Sequence, residues 1–337
     1  MTVFIYGGSN SLRKGGWTAY LAKELPDENV INRSIGAATT LMALFRLLTN
    51  PETGPKAGDT VIWEYALNEV NHIARGYDRE IVSRNVARFI HECTRRQLKL
   101  VAAIFTPRNE EWAADRHAMY QDLATQLDAH GVASFDASLA WRRHSGQAHV
   151  AKHFFKDAAH YGDDAEFLTF LAKGVKDCLR RATVPVPKPD HSTAPRPLVV
   201  QLVKADSEYK NALISVPLAA HRATMELGCN GRLIGAATLV FPDTRSALSL
   251  EYSRSGHAGK WVNLSTAGID KADKPILKVF SLEMAGADWQ VQAGDQVDIL
   301  PLRRAKPIYA ESHVRANLAA MDATQPHAFI GFVIEQD

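Results

Sequence analysis

Over its first 182 residues the chain alternates short apolar runs with longer amphipathic stretches, and this alternation restricts the fold more than any other feature. The runs at 3–6, 30–35, 60–65, 98–105 and 132–135 are expected strands. The stretches 17–25, 37–48, 79–97, 109–130 and 163–181 are expected helices. The run at 60–65 carries Val61, Ile62 and Trp63 in succession, as a strand covered on both faces requires. The last helix carries Asp163, Asp164 and Glu166 in its first turn and Arg180 and Arg181 in its last, in keeping with the helix dipole. Strand–helix units joined by short links imply a flavodoxin-like, three-layer α/β/α domain on a parallel sheet, over residues 1–182. The stretch 139–156 reads as irregular.

From 183 to 197 the chain carries prolines at 185, 187, 189, 195 and 197. Proline fixes φ and lacks an N–H, so this stretch reads as a semi-rigid linker. Beyond it, from 198 to 337, the pattern changes to many short strands with turn signals such as Cys229-Asn230-Gly231, Ser255-Gly256 and Ala293-Gly294-Asp295. That implies a mostly β, sandwich-like second domain. Residues 309–321 read as one helix or a covering loop. Tyr252, Trp261 and Trp289 read as core aromatics in preference to sugar-stacking ones.

Composition narrows the class further. With 46% hydrophobic and 23% charged residues and a net charge of +2, the chain has neither a membrane-length apolar run nor a field that calls for nucleic acid. Cys93, Cys178 and Cys229 are scattered, so neither a disulfide framework nor a metal site is indicated, and no cofactor is implied. The N-terminus has no secretion-type segment, because a strand begins at once, and the expected location is cytoplasmic.

The first strand ends in Gly7-Gly8-Ser9-Asn10-Ser11. A phosphate loop would need G-x-x-x-x-G-K-[ST]. Here Lys14 follows Arg13 and precedes Gly15, and G-x-G-x-x-G is absent as well. Hydrolytic chemistry fits better. A serine hydroxyl needs a base to take its proton, histidine is the usual base near neutral pH, and an aspartate holds the imidazole. Asp157 and His160 lie three residues apart before the last helix, where a doubly wound sheet brings them to the same edge as Ser9. The N–H groups of Ser9 and Gly36 and the side chain of Asn68 are candidate donors to an oxyanion. Ser11 reads as a capping or loop hydroxyl, and Glu64, Glu69 and His72 as supporting or solvated side chains.

Four short blocks carry a resemblance. They are Gly7-Gly8-Ser9 after strand one, Gly36 at the end of Asn32-Arg33-Ser34-Ile35-Gly36, Asn68 in Ala66-Leu67-Asn68-Glu69, and Asp157-Ala158-Ala159-His160. In this order, each at the end of its element, they resemble the SGNH (GDSL-type) hydrolases over residues 1–182. Gly8, Ala66 and Glu69 depart from that pattern, standing where the family has aspartate, glycine and aspartate. The resemblance implies Ser9 as nucleophile, His160 as base, Asp157 as its partner, and Ser9, Gly36 and Asn68 as the oxyanion hole. It further implies a serine esterase acting through an acyl-enzyme, on O-acetyl esters of a carbohydrate or polysaccharide. A carbohydrate O-acetyltransferase with a sugar acceptor is the near alternative. A non-catalytic glycan-binding or assembly protein on the same fold is the alternative of another class.

Overall fold

Every strand that the alternation places in the first part of the chain runs parallel to its neighbours in the computed structural model. The structure describes all residues except 1, 50–51, 114–115, 188–195, 205–206, 212–213, 220–221, 243–246, 255–258, 269–274, 303–307 and 312–327. The chain divides into two compact units, Met1–Pro195 and Arg196–Asp337. Among the described residues no helix is long and apolar enough to cross a membrane.

The first unit runs β1 (Thr2–Gly7), α1 (Ser9–Leu12), α2 (Trp17–Glu24), β2 (Asn29–Asn32), α3 (Thr40–Thr49), β3 (Thr60–Glu64), α4 (Ala66–Ile73), α5 (Arg79–Arg95) and β4 (Lys99–Ile104). It continues through α6 (Arg108–Glu111), α7 (Ala118–Ala129), β5 (Ala133–Asp136), α8 (Ala137–Ser145) and α9 (Ala165–Leu179). The sheet order is β2-β1-β3-β4-β5, the doubly wound order whose switch point lies between β1 and β3. Side chains alternate across a strand, and β1 shows the result. Val3 and Ile5 join the core beneath α2 and α9, whereas Tyr6 meets Phe89 of α5 on the other face. Central β3 is buried at every position, from Val61, Ile62 and Trp63 to the Glu64 that ends it.

Helix α9 is the best specified. Asp164 caps it by accepting from the Phe167 N–H at 2.9 Å, and Phe167, Leu168, Leu171, Ala172, Val175, Cys178 and Leu179 form its buried face. Phe167 packs on Trp141, Phe154 and Tyr161. Such aromatic pairs each add about 0.5–1.5 kcal/mol beyond burial. Gly174 lets α9 lie directly on Phe135, because a Cβ there would overlap that ring.

Three expectations need correction. Residues 109–130 are not one helix: α6 ends at Glu111, and α7 restarts at Ala118 with His117 as its cap. Glu111 is buried, accepts from the Val150 N–H and pairs with Arg142, so a tertiary contact ends the first turn. The stretch from 139 is not irregular throughout, since α8 covers Ala137–Ser145 between an Asp136 cap and Gly146 in the left-handed region at φ 71°. Asn68 lies within α4, which the alternation did not mark. The proline-rich stretch begins on the first unit, with Thr183 bridged to Leu100 and the Val186 N–H bonded to the His130 carbonyl at 2.9 Å.

The second unit is built from strands in mainly antiparallel sheets. One centres on Gly231–Pro242, flanked by Ala328–Gln336 on one side and Ile276–Ser281 and Trp289–Val291 on the other. A second holds Lys260–Ser265, Ala247–Ser253, Gln296–Pro301 and Ala223–Glu226 in order. Both line one apolar core through Leu233, Phe280, Phe332, Leu248, Leu264 and Ile299. Trp289 and Tyr252 are buried there and stack at 5.7 Å. The Ser255-Gly256 turn lies outside the described residues, as does 312–321 of the expected helix or loop, whereas Ile308–Tyr309 is a short strand.

Candidate active site

Because β1 and β3 flank the switch point, the segments that leave their carboxyl ends converge on one crevice. Ser9 opens α1 directly after β1, and Asn68 sits in the first turns of α4 after β3. The loop between α8 and α9 returns to the same edge. A bridge between Phe155 and Tyr161 closes it, and the Lys156 N–H bonds the His160 carbonyl at 2.8 Å.

Inside that loop Asp157 and His160 face each other. His160 Nδ1 lies 2.9 Å from both Asp157 oxygens, and His160 Nε2 lies 2.7 Å from Ser9 Oγ. A carboxylate oxygen only accepts, so Nδ1 carries the hydrogen and Nε2 of the neutral ring is left to accept from Ser9. Asp157 Oδ1 also accepts from the backbone N–H groups of Ala159 and His160, each at 2.8 Å. Burial alone would raise the Asp157 pKa, but the Ala159 and His160 hydrogen bonds outweigh it and hold the carboxyl below its usual range. The carboxylate is 48% exposed, so it works at a wet edge of the fold.

The expected oxyanion donors are grouped beside Ser9. A Cβ on Gly36 would sit 3.6 Å from Ser9 Cβ, so that backbone passes directly over the serine. The Asn68 Nδ2 donates one hydrogen to the Ala38 carbonyl at 2.7 Å, and the amide has a second to offer. Its Oδ1 packs on Gly8, where a Cβ would come within 2.5 Å of it. Gly8 thus leaves the space beside the Ser9 turn to the Asn68 amide.

Several residues that the sequence did not mark hold the site. Asn10 clasps the loop on both sides of His160, donating to the Ala159 carbonyl at 3.2 Å and accepting from the Tyr161 N–H at 3.0 Å. Arg13, also reached from α1, bonds the Tyr161 and Gly162 carbonyls and the Asp163 carboxylate. No local pattern betrays such partners, which lie about 150 positions away in the chain. Glu64, Glu69 and His72, expected as supporting or solvated, are all buried at 1%, 1% and 3% exposure, so none is solvated. Glu69 Oε1 accepts from the Thr40 N–H at 2.7 Å at the start of α3, and His72 Nδ1 lies 2.7 Å from the Asn68 carbonyl. Ser11 Oγ meets Glu64 at 2.5 Å beneath the Ser9 turn.

No family model and no curated protein matches the chain. Its N-terminal half is similar to solved structures of GDSL-type hydrolases. An acetyl xylan esterase, AlAXEase, is 16% identical over 53% of this chain and 100% of its own, with a TM-score of 0.44. TesA is 21% identical over 53% of this chain and 98% of its own, with a TM-score of 0.42. A GDSL-like lipase from Bacteroides thetaiotaomicron is 15% identical over 53% and 88%, with a TM-score of 0.40. These alignments each leave nearly half of the chain uncovered.

Proposed function

We propose that the first unit is a serine-dependent carboxylic ester hydrolase. The unbroken hydrogen-bond line from Ser9 Oγ through His160 to Asp157 carries this reading. Ser9 Oγ attacks the ester carbonyl while His160 Nε2 takes its proton, and Asp157 steadies the resulting imidazolium. The Ser9 and Gly36 N–H groups and the Asn68 amide receive the developing oxyanion, each such donor being worth roughly 3–4 kcal/mol. Collapse expels the alcohol, protonated by His160, and leaves Ser9 acylated. Water, activated by the same imidazole, then releases the acid.

For the ester we propose an O-acetyl group on a carbohydrate, the substrate class that the four-block resemblance brings. An aromatic groove supports it. Trp112, 44% exposed, lines a cavity of 420 Å³ with Gln147, Ala148, His149, Ala151 and Lys152. Arg108, at the start of the short helix that Trp112 follows, bonds through its N–H to the Ala158 carbonyl in the His160 loop. A surface with one aromatic and a few polar groups suits a sugar ring.

Fluorophosphonate labelling with mapping of the adduct, beside acetate release from acetylated sugars, tests the proposal. The adduct is expected on Ser9, and Ser9→Ala is expected to abolish both signals. An adduct elsewhere, or acetate release that survives Ser9→Ala, would end the reading. Acetylated sugar products formed at the expense of free acetate would make the reaction transfer in place of hydrolysis.

A further inference from the structure

Directly beneath the Ser9 turn lies a carboxyl that the triad does not use. Glu64 ends β3, is wholly enclosed, and accepts on Oε2 from the Gly8 N–H at 3.1 Å and from Ser11 Oγ at 2.5 Å. The Gly8 N–H also reaches the Glu64 backbone carbonyl at 3.1 Å, so the residue before the nucleophile is held twice by one glutamate. Gly7 makes room for this, because a Cβ there would come within 2.5 Å of Ser11 Oγ and 2.8 Å of Glu64 Oε2. The other oxygen, Oε1, is buried with no hydrogen-bond partner among the described residues. A carboxylate in such a place leaves half of its charge unanswered, whereas a neutral acid does not.

We infer that Glu64 is a positioning residue for Ser9, neutral in the working enzyme, and that its ionisation slows the chemical step. The inference rests on the ester-hydrolase reading of the Ser9 site.

The surroundings agree. No salt bridge to Glu64 occurs among the described residues. Burial raises its pKa to about 8, against the hydrogen bonds from Ser11 and Gly8 that pull the other way. Tyr65, next along the chain, and Tyr161, in the His160 loop, both feel its charge. Both are buried phenols whose pKa burial raises, so both stay neutral in the working range. Arg46 of α3 acts on Tyr65 and Tyr6 and does not reach the carboxyl as an ion pair.

In the neutral form the short contact to Ser11 persists as an O–H···O bond, and the Gly8 N–H keeps its acceptor. On ionisation a full negative charge appears below the Gly8–Ser9 backbone, whose N–H serves the oxyanion. Like charges then oppose each other in a poorly screened interior, and kcat falls. The direction is opposite to that of a histidine base, whose loss of a proton raises activity with pH.

The test is the kcat profile on p-nitrophenyl acetate from about pH 6 to about pH 9.5, corrected for spontaneous hydrolysis, for wild type, Glu64→Gln and Ser11→Ala. Glutamine keeps the acceptor for Gly8 and Ser11 and cannot ionise. Wild-type kcat is expected to fall roughly tenfold above about pH 8 with KM unchanged. Glu64→Gln is expected to match wild type near neutrality and to lack the fall. Ser11→Ala removes a bond that favours the carboxylate, so its fall should move to higher pH. The same alkaline fall in Glu64→Gln as in wild type would overturn the inference while leaving the esterase reading intact. A wild type inert toward every ester overturns both. If circular dichroism finds Glu64→Gln unfolded, Ser11→Ala decides, and an unmoved fall counts against the inference.

Discussion

Asn10 Oδ1 accepts the Tyr161 N–H at 3.0 Å across 151 positions of chain, while the same amide donates to the Ala159 carbonyl at 3.2 Å. His160 is the one residue between those two contacts, so the residue after the nucleophile sets the placement of its base. A misplacement of about 1 Å in a reacting group costs on the order of a hundredfold in rate. Asn10→Ala is therefore expected to lower kcat roughly 10- to 100-fold with KM nearly unchanged and the fold intact by circular dichroism. Asn10→Asp keeps the acceptor for Tyr161 and loses the donor to Ala159, and should fall between. A kcat equal to wild type in Asn10→Ala would show that the loop holds His160 without it.

Asp157 lies half in solvent, and this sets the size of its effect. Removing the carboxylate of a buried triad costs about 10⁴ in kcat, chiefly through the wrong tautomer. Here water can take part of the role, so Asp157→Asn should lower kcat by about 10²–10³. Since its pKa lies below the unfolded value, the carboxylate favours folding above that value, and the benefit fades as pH falls through the folded pKa. The melting-temperature deficit of Asp157→Asn relative to wild type should thus shrink only as pH falls below the ordinary aspartate range, which a thermal melt at each pH would check.

These two residues differ in how readily the sequence reveals them. Asp157 and His160 are visible because their interaction is local, three positions apart in one loop, and their chemistry matches a serine after a strand. Asn10 is invisible, since an asparagine in a four-residue helix carries no sign of a partner far along the chain. The same contrast runs through the fold. Strands such as β3 read correctly because burial on both faces demands successive apolar residues, here Val61, Ile62 and Trp63. The break between α6 and α7 could not be read, because the pairing of Glu111 with Arg142 contributes to it and neither glycine nor proline marks the site. Helix α8 did carry its caps, Asp136 and Gly146, but Arg142, Arg143 and His144 masked its periodicity. In the second unit Gly231, read as part of a turn, opens a 12-residue strand, where its lack of a Cβ admits the Glu335 carbonyl at close range.

Gly174 sets two effects of opposite sign against each other. Glycine inside a helix is worse than alanine by about 1 kcal/mol, so Gly174→Ala in an open helix would stabilise. In α9 the new Cβ would overlap the Phe135 ring, and overpacking costs about 1–3 kcal/mol. The net expectation is a lower denaturation midpoint, recoverable in Gly174→Ala/Phe135→Leu. A midpoint above wild type for the single variant would mean that α9 shifts freely on β5.

Trp112 separates substrate binding from chemistry. Its ring stacks on His149 at 4.6 Å, with the Lys152 ammonium 4.7 Å from the ring centre. If an acetylated sugar lies in this groove, Trp112→Ala should raise KM about 5- to 10-fold, the loss of about 1 kcal/mol of contact with the groove wall. Hydrolysis of p-nitrophenyl acetate, too small to need the groove, should be unaffected. Equal losses on both esters would place the effect in the site itself.

Glu64 also leaves a mark on stability that needs no substrate. Its folded pKa of about 8 lies above the ordinary value of 4.5, so the folded state holds a proton that the unfolded chain releases between those values. Below about 4.5 both states are protonated and the advantage of the neutral form is complete. As pH rises from there toward 8, stability falls by up to about 1.4 kcal/mol per pH unit. Glu64→Gln has no such proton to lose. The melting temperature of wild type relative to Glu64→Gln should therefore decline steadily across that window and level off above it. A constant difference from pH 5 to pH 9 would mean that the carboxyl is already ionised in the folded enzyme at acidic pH.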